Sequence, residues 1–124
     1  MQNIYKTIYD LKSKYDSNIV FDTRLIKEKD IFIGLKTNKN DGNLYYKDAL
    51  KKKASLIIVN VKTDHSKLVY VKDSKLFIKK FCKYMLDNYK GKIIAVTGSV
   101  GKTTFKENIY HILKNNNFKT YRSY

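Results

Sequence analysis

Gly98, Gly101, Lys102, Thr103 and Thr104 are the residues of this chain whose types and spacing could do chemistry. An apolar run, Ile93-Ile94-Ala95-Val96, leads into a turn bounded by the two glycines. Lys102-Thr103-Thr104 then opens a segment with helical periodicity. That order is what a phosphate-binding loop requires. Glycines let the backbone approach an anion, helix N-terminal amides point at it, and a lysine adds a full positive charge. The hydroxyl after the lysine is placed to ligand a magnesium ion bridging the phosphates. The implied ligand is a nucleoside triphosphate, ATP, with Mg2+. In the commonest spacing a glycine precedes Gly101 by five residues, where this chain has Val96. Here the cradle takes the compressed form Gly98-x-x-Gly101-Lys102-Thr103. The competing reading is a strand-to-helix turn that binds nothing, with Lys102 one lysine among many.

A P-loop of this kind is the first turn of a parallel α/β sheet, so the surrounding elements decide whether it can be held. Ile4, Ile8 and Leu11, with Tyr5 and Tyr15, are spaced for an amphipathic helix. Residues 18–22 read as a short strand, and Asp22-Thr23-Arg24 as a polar turn. Asp30 to Leu35 reads as a central strand, apolar on both faces. Residues 36–43 are a loop of turn formers, 44–54 a helix, 55–61 a buried parallel strand and 68–71 a fourth strand. Residues 74–89 read as a helix capped by Asp73 or Ser74 and ended by Gly91, with Leu76, Phe77, Phe81, Tyr84 and Met85 toward a core. A strand over 93–97, a helix from Lys102 to about Leu113 and a strand start at 118–121 complete the pattern. No internal repeat or low-complexity linker interrupts it.

The fold class is therefore α/β, with 1–73 as a small N-terminal domain and 74–124 as the beginning of a second. One strand, one helix and the start of another strand cannot close a nucleotide-binding sheet. The expectation is an incomplete domain, and a fragment inactive by itself.

Bulk composition narrows the partners. The chain has 124 residues, enough for one ordinary domain or a small domain and part of another. No apolar run approaches the ~20 residues of a membrane span, and the N-terminus lacks the apolar core of a secretory signal. The single cysteine, Cys82, excludes an internal disulfide and is expected to be a buried structural thiol; a cytoplasmic setting follows. The net charge is +15, but of the 26 Lys and Arg residues only Arg24 and Arg122 are arginine. The lysines are spread along nearly every segment. That pattern reads as an amino-acid bias, not as a nucleic-acid-binding stripe. Membrane insertion and a specific nucleic-acid partner are not expected, and the chain is expected to be a monomer.

The run Val96-Thr97-Gly98-Ser99-Val100-Gly101-Lys102-Thr103-Thr104-Phe105-Lys106-Glu107 resembles the ATP-binding loop of the Mur ligases, which use the compressed spacing. Lys106-Glu107 makes it most similar to the branch that adds D-alanyl-D-alanine. Upstream, Asp22-Thr23-Arg24, Lys29 to Lys36, Asp41-Gly42, Ala49 and Ala54 to Val59 follow the family's N-terminal domain in order. Thr37 and Asn43 depart from it, standing where glycine and histidine are common.

The resemblance implies an N-terminal domain that holds the UDP part of a UDP-N-acetylmuramoyl-peptide and a central domain that holds ATP. The γ-phosphoryl group would pass to the peptide carboxylate, and the amine of D-Ala-D-Ala would attack the acyl phosphate. By the residue match Lys102 is the catalytic residue, acting electrostatically on the phosphates. Gly98, Ser99, Val100, Gly101, Lys102, Thr103 and Thr104 would hold ATP, and Thr103 the metal. Thr23, Arg24, Asp41 and Gly42 would contact the UDP substrate. For Asp22 and Arg24 capping and pairing within the turn is the alternative, as a tight turn is for Asp41-Gly42. His65 and His111 lack metal-ligand spacing. Two other function classes stay open: a different ligase with the same loop (amino-acid-adding or folylpolyglutamate-type), and a non-enzymatic basic nucleic-acid-binding module.

Overall fold

The computed structural model describes residues 3–123, and the chain divides into two compact units, Met1–Tyr89 and Lys90–Tyr124. In the first unit the order is α1 (Ile4–Tyr15), β1 (Ile19–Val20), a 3-10 turn (Thr23–Leu25), β2 (Ile31–Ile33), a second 3-10 turn (Gly42–Tyr45), α2 (Tyr46–Lys51), β3 (Leu56–Val59), β4 (Leu68–Tyr70) and α3 (Ser74–Asp87). The second unit contains α4 (Lys102–Asn115).

The four strands form one parallel sheet in the order β1-β2-β3-β4, with Ile31 opposite both Ile19 and Leu56. Side chains alternate across a strand, and the burial follows that period. Ile31, Ile33, Leu56 and Ile58 pack with Ile8 of α1 and with Phe77 and Phe81 of α3. Phe32, Ile57 and Val59 face the other way, onto Ile26, Ala49 and Ala54. Each central strand is therefore covered on both faces, which is why β2 and β3 read as unbroken apolar runs. Asp30 is buried at the entrance to β2, its carboxylate accepting the amides of Asn18 at 3.0 Å and Lys27 at 2.9 Å.

Several expectations need correction. The 74–89 segment was expected to open the second domain, but Phe77 and Phe81 of α3 are in the first unit's core, and the units divide after Tyr89. That helix ends at Asp87, not at Gly91. Asn88 caps it, donating to the Tyr84 carbonyl from its backbone N–H at 3.1 Å and its Nδ2 at 2.8 Å. Leu76 is 48% exposed and Cys82 is also exposed, because each sits one residue, about 100°, around the helix from a buried phenylalanine.

The strand expected over 93–97 does not form, nor does the one at 118–121. A strand exists only through ladder bonds to a neighbour, and no described segment pairs with either. Ile93 and Ile94 are accordingly more than half exposed.

Candidate functional site

In the second unit the phosphate-loop sequence takes the backbone that its glycines allow. Gly98 has φ +147° and Gly101 φ +77°, both in the region that L side chains rarely adopt. A Cβ at either glycine would meet nothing within 4 Å, so the conformation, not crowding, is what calls for glycine. Gly101 is the N-cap of α4 and supplies no side-chain acceptor. The first turn closes with Phe105 N–H donating to the Gly101 carbonyl at 3.0 Å. The amides of Lys102, Thr103 and Thr104 thus precede the first intrahelical bond and keep their donor capacity for an anion.

Gly98, Ser99, Val100, Gly101, Lys102, Thr103 and Thr104 are all exposed. A concavity of about 470 Å³ beside them is lined by Val96, Thr97, Val100, Gly101, Lys102 and Phe105, among others. Thr103 and Thr104 occupy the first turn of α4, and Ser99 and Val100 lie in the bend before it. Further along α4, Lys106 Nζ donates to the Ser123 carbonyl at 2.6 Å. Glu107 Oε1 lies 3.1 Å from Arg122 Nε, and the Arg122 guanidinium stacks 4.0 Å from the Tyr110 ring. Lys106 and Glu107 therefore hold the 118–123 segment against the helix. Among the described residues no group of three or more His, Cys, Asp and Glu could enclose a metal, and His111 stands 3.9 Å from Glu107.

In the first unit the four residues expected to contact UDP come to one edge of the sheet. Thr23 and Arg24 follow the carboxyl end of β1, while Asp41 and Gly42 close the loop after the carboxyl end of the neighbouring β2. That edge is where open parallel sheets bind ligands. Asp22 caps the turn through Arg24 N–H at 2.9 Å and pairs with the guanidinium at 2.7 Å. The Arg24 hydrogen bonds, side chain first and then backbone, hold the Asp22 carboxyl down at about 2. Asp22 in turn raises the Arg24 pKa, as does Tyr45 of the second 3-10 turn to a smaller extent. Lys52 Nζ donates to the Thr23 carbonyl at 2.7 Å. Phe21, Asp22 and Leu25 line a separate hollow of about 350 Å³ with Asn18, Lys27 and Asp30.

No family model matches the chain. It is 37% identical over 101 residues to the UDP-N-acetylmuramoyl-tripeptide–D-alanyl-D-alanine ligase of Rickettsia prowazekii (strain Madrid E), covering 79% of this chain and 22% of that one. It is 34% identical over 85 residues to the UDP-N-acetylmuramoyl-L-alanyl-D-glutamate–2,6-diaminopimelate ligase of Rickettsia montanensis, covering 67% and 18%. The crystal structure of MurF ligase from Thermotoga maritima in complex with ADP matches with a TM-score of 0.69 at 30% identity, over 93% of this chain and 25% of that chain.

The chain is homologous to the Mur ligases. It spans about a fifth of the length of the curated relatives it matches. Similarity extends to both the D-alanyl-D-alanine and the diaminopimelate branches of these ligases. Sequence reasoning noted Asn43 only as a departure from the Mur ligase pattern. In the structure it is buried and bonded to both Asp41 and Asn60. Its position after Asp-Gly at the end of a polar loop was the available signal. Lys52 and Tyr45, which reach toward Thr23 and Arg24, carried none. Among the described residues no helix is long and apolar enough to cross a membrane.

Proposed function

We propose that this chain carries the UDP-substrate unit and the ATP phosphate loop of an ATP-dependent amide ligase of peptidoglycan precursor synthesis, the type that joins D-Ala-D-Ala to a UDP-N-acetylmuramoyl-tripeptide. The observation that carries the reading is the Gly98–Gly101 turn, with two positive-φ glycines opening onto an uncapped helix N-terminus at Lys102. ATP enters through the loop chemistry and through the ADP named for the Thermotoga maritima relative.

In this reading the amides from Ser99 to Thr104 cradle the phosphates. The Lys102 ammonium balances charge on the β- and γ-phosphates as the γ-phosphoryl group passes to the substrate carboxylate. The resulting acyl phosphate is attacked by the amine of D-Ala-D-Ala, the C–O bond to phosphate breaks, and an amide and inorganic phosphate result. The Thr103 hydroxyl would supply one oxygen ligand for Mg2+. When bound, that ion supplies charge neutralisation along the polyphosphate. Thr23, Arg24, Asp41 and Gly42 receive the uridine nucleotide, in the first unit.

Calorimetric titration of the chain with Mg·ATP tests the loop. Lys102→Ala should weaken binding at least about tenfold, as loss of a charge-assisted phosphate contact does. Equal affinity in parent and variant removes the ATP assignment. The sister branch is the second reading, supported by the diaminopimelate-ligase similarity. Tighter binding of the UDP-N-acetylmuramoyl dipeptide than of the tripeptide would favour it.

A further inference from the structure

The loop after β2 is held by one buried amide. Asn43 is 6% exposed, and both ends of its side chain are used. Oδ1 accepts the Asn60 N–H at 2.7 Å, just past the carboxyl end of β3. Nδ2 donates to Asp41 Oδ1 at 2.8 Å, and the Asn43 backbone N–H donates to the same oxygen at 3.0 Å. Gly34, just past the carboxyl end of β2, lies directly against this residue. A Cβ there would stand 2.8 Å from Asn43 Cα and 2.9 Å from its Oδ1. Gly42 N–H donates to the Leu35 carbonyl at 2.7 Å, and a Cβ at Gly42 would meet Leu35 backbone at 2.9 Å. Two glycines therefore exist in forms that let the loop sit down, and Asn43 ties it to two strand ends.

A buried carboxamide with one donor and one acceptor satisfied in opposite directions has a single orientation available. Nδ2 must meet the carboxylate, because Oδ1 must meet an N–H. The Asp41 carboxylate is thereby fixed, with both bonds on Oδ1 and none to Oδ2 among the described residues. The fixed group stands at the sheet edge where Thr23 and Arg24 also arrive.

We propose that Asn43 is a positioning residue for the uridine-diphosphate site, clipping Asp41 and Gly42 to the ends of β2 and β3 so that they meet the nucleotide pre-ordered. The inference rests on the reading that Thr23, Arg24, Asp41 and Gly42 receive UDP. Its logic is that affinity is lost when a contacting loop must be ordered at the moment of binding.

Titration of the full chain with UDP, followed by amide NMR and calorimetry, tests it. The Asn43 side-chain amide protons should shift together with the Asp41 and Gly42 backbone amides, while those of Asn88 and Asn116, which bond only their own helices, should stay. Asn43→Asp keeps the acceptor for Asn60 N–H but sets two carboxylates against each other, and should raise the UDP dissociation constant about tenfold. Gly34→Ala, whose Cβ would stand 2.8 Å from Asn43 Cα, displaces the clip while leaving Asp41 and Gly42 themselves unchanged, and should raise the constant by a similar factor. It also carries the comparison if Asn43→Asp alone does not fold. Unshifted Asn43 protons overturn the proposal. So does parent-like affinity in a folded Asn43→Asp or Gly34→Ala chain. A parent chain that binds no UDP overturns the nucleotide site itself, before any variant is made.

Discussion

At the scale of single residues, Asp22 and Arg24 illustrate how a pair can matter without stabilising much. Both side chains are in contact with water, so their ion pair is screened and contributes little to folding. What it does is orient: Asp22 caps the Thr23–Leu25 turn and holds the guanidinium at the sheet edge. The Asp22 pKa is depressed to about 2. Its small stabilisation is therefore complete above the ordinary carboxylate pKa, ~3.9, and is lost as pH falls toward 2. Arg24→Ala should move the Asp22 carboxyl midpoint upward in a carbon-detected NMR titration, and a midpoint still near 2 would contradict the pairing. Gly101 makes the same point for the backbone. Gly101→Ala meets open space yet must hold φ +77°, costing about 1–2 kcal/mol if the loop keeps its shape. The expected outcome is weaker Mg·ATP binding with α4 helicity by circular dichroism nearly unchanged.

At the scale of elements, α3 shows what local sequence can specify. Asp73 Oδ1 accepts the Leu76 N–H at 3.1 Å, and Phe77 and Phe81, one turn apart, enter the core beside Tyr5. Asp73→Ala should cost about 1 kcal/mol through the lost cap, and Phe81→Ala about 3–5 kcal/mol through the cavity it leaves. Urea denaturation of both variants checks the order, and a cap loss larger than the core loss would refute this account. The same helix marks the limit of legibility. Its start and its Phe77–Phe81 stripe were readable because a cap and a period of 3.6 are local signals. The positions of Leu76 and Cys82 were not, since the width of the buried stripe depends on the sheet it meets. For β2 and β3 the apolar runs gave away burial on both faces, and turn-forming residues gave away the loops. The turn at Gly98 and Gly101 was legible because glycine alone adopts such φ values readily. The strand expected at 93–97 was not safe to infer, as a strand is a property of two segments. The role of Asn43 was not legible because it depends on Gly34 and Asn60, distant in sequence.

At the scale of the whole chain, lysine abundance finds a use beyond charge. Lys14 and Lys29 lie over the Tyr15 ring, Lys62 over Tyr70 and Lys114 over Tyr110, so ammonium groups cover exposed aromatic faces. Burial is distributed unevenly between the two compact units. Every buried hydrophobic residue among those described, from Ile8 to Phe81, belongs to the first. The second has α4, with no buried residue along its 14 positions, and isolated helices of that length are marginal in water. Native-state hydrogen exchange should therefore find its slowest amides in β2, β3 and α3, and amides of 99–115 exchanging at rates near those of an unstructured peptide. Mg·ATP alters that ranking only if it binds the folded loop. At a concentration 100 times its dissociation constant it should stabilise the ordered state by about 2.7 kcal/mol, slowing those amides about a hundredfold. Protection should centre on Ser99 to Phe105 and spread along α4, leaving β2 and β3 unchanged. Lys102→Ala should cut the slowing to about tenfold or less at the same nucleotide concentration. Equal slowing in that variant, or slowing confined to the first unit, would place nucleotide binding somewhere other than this turn.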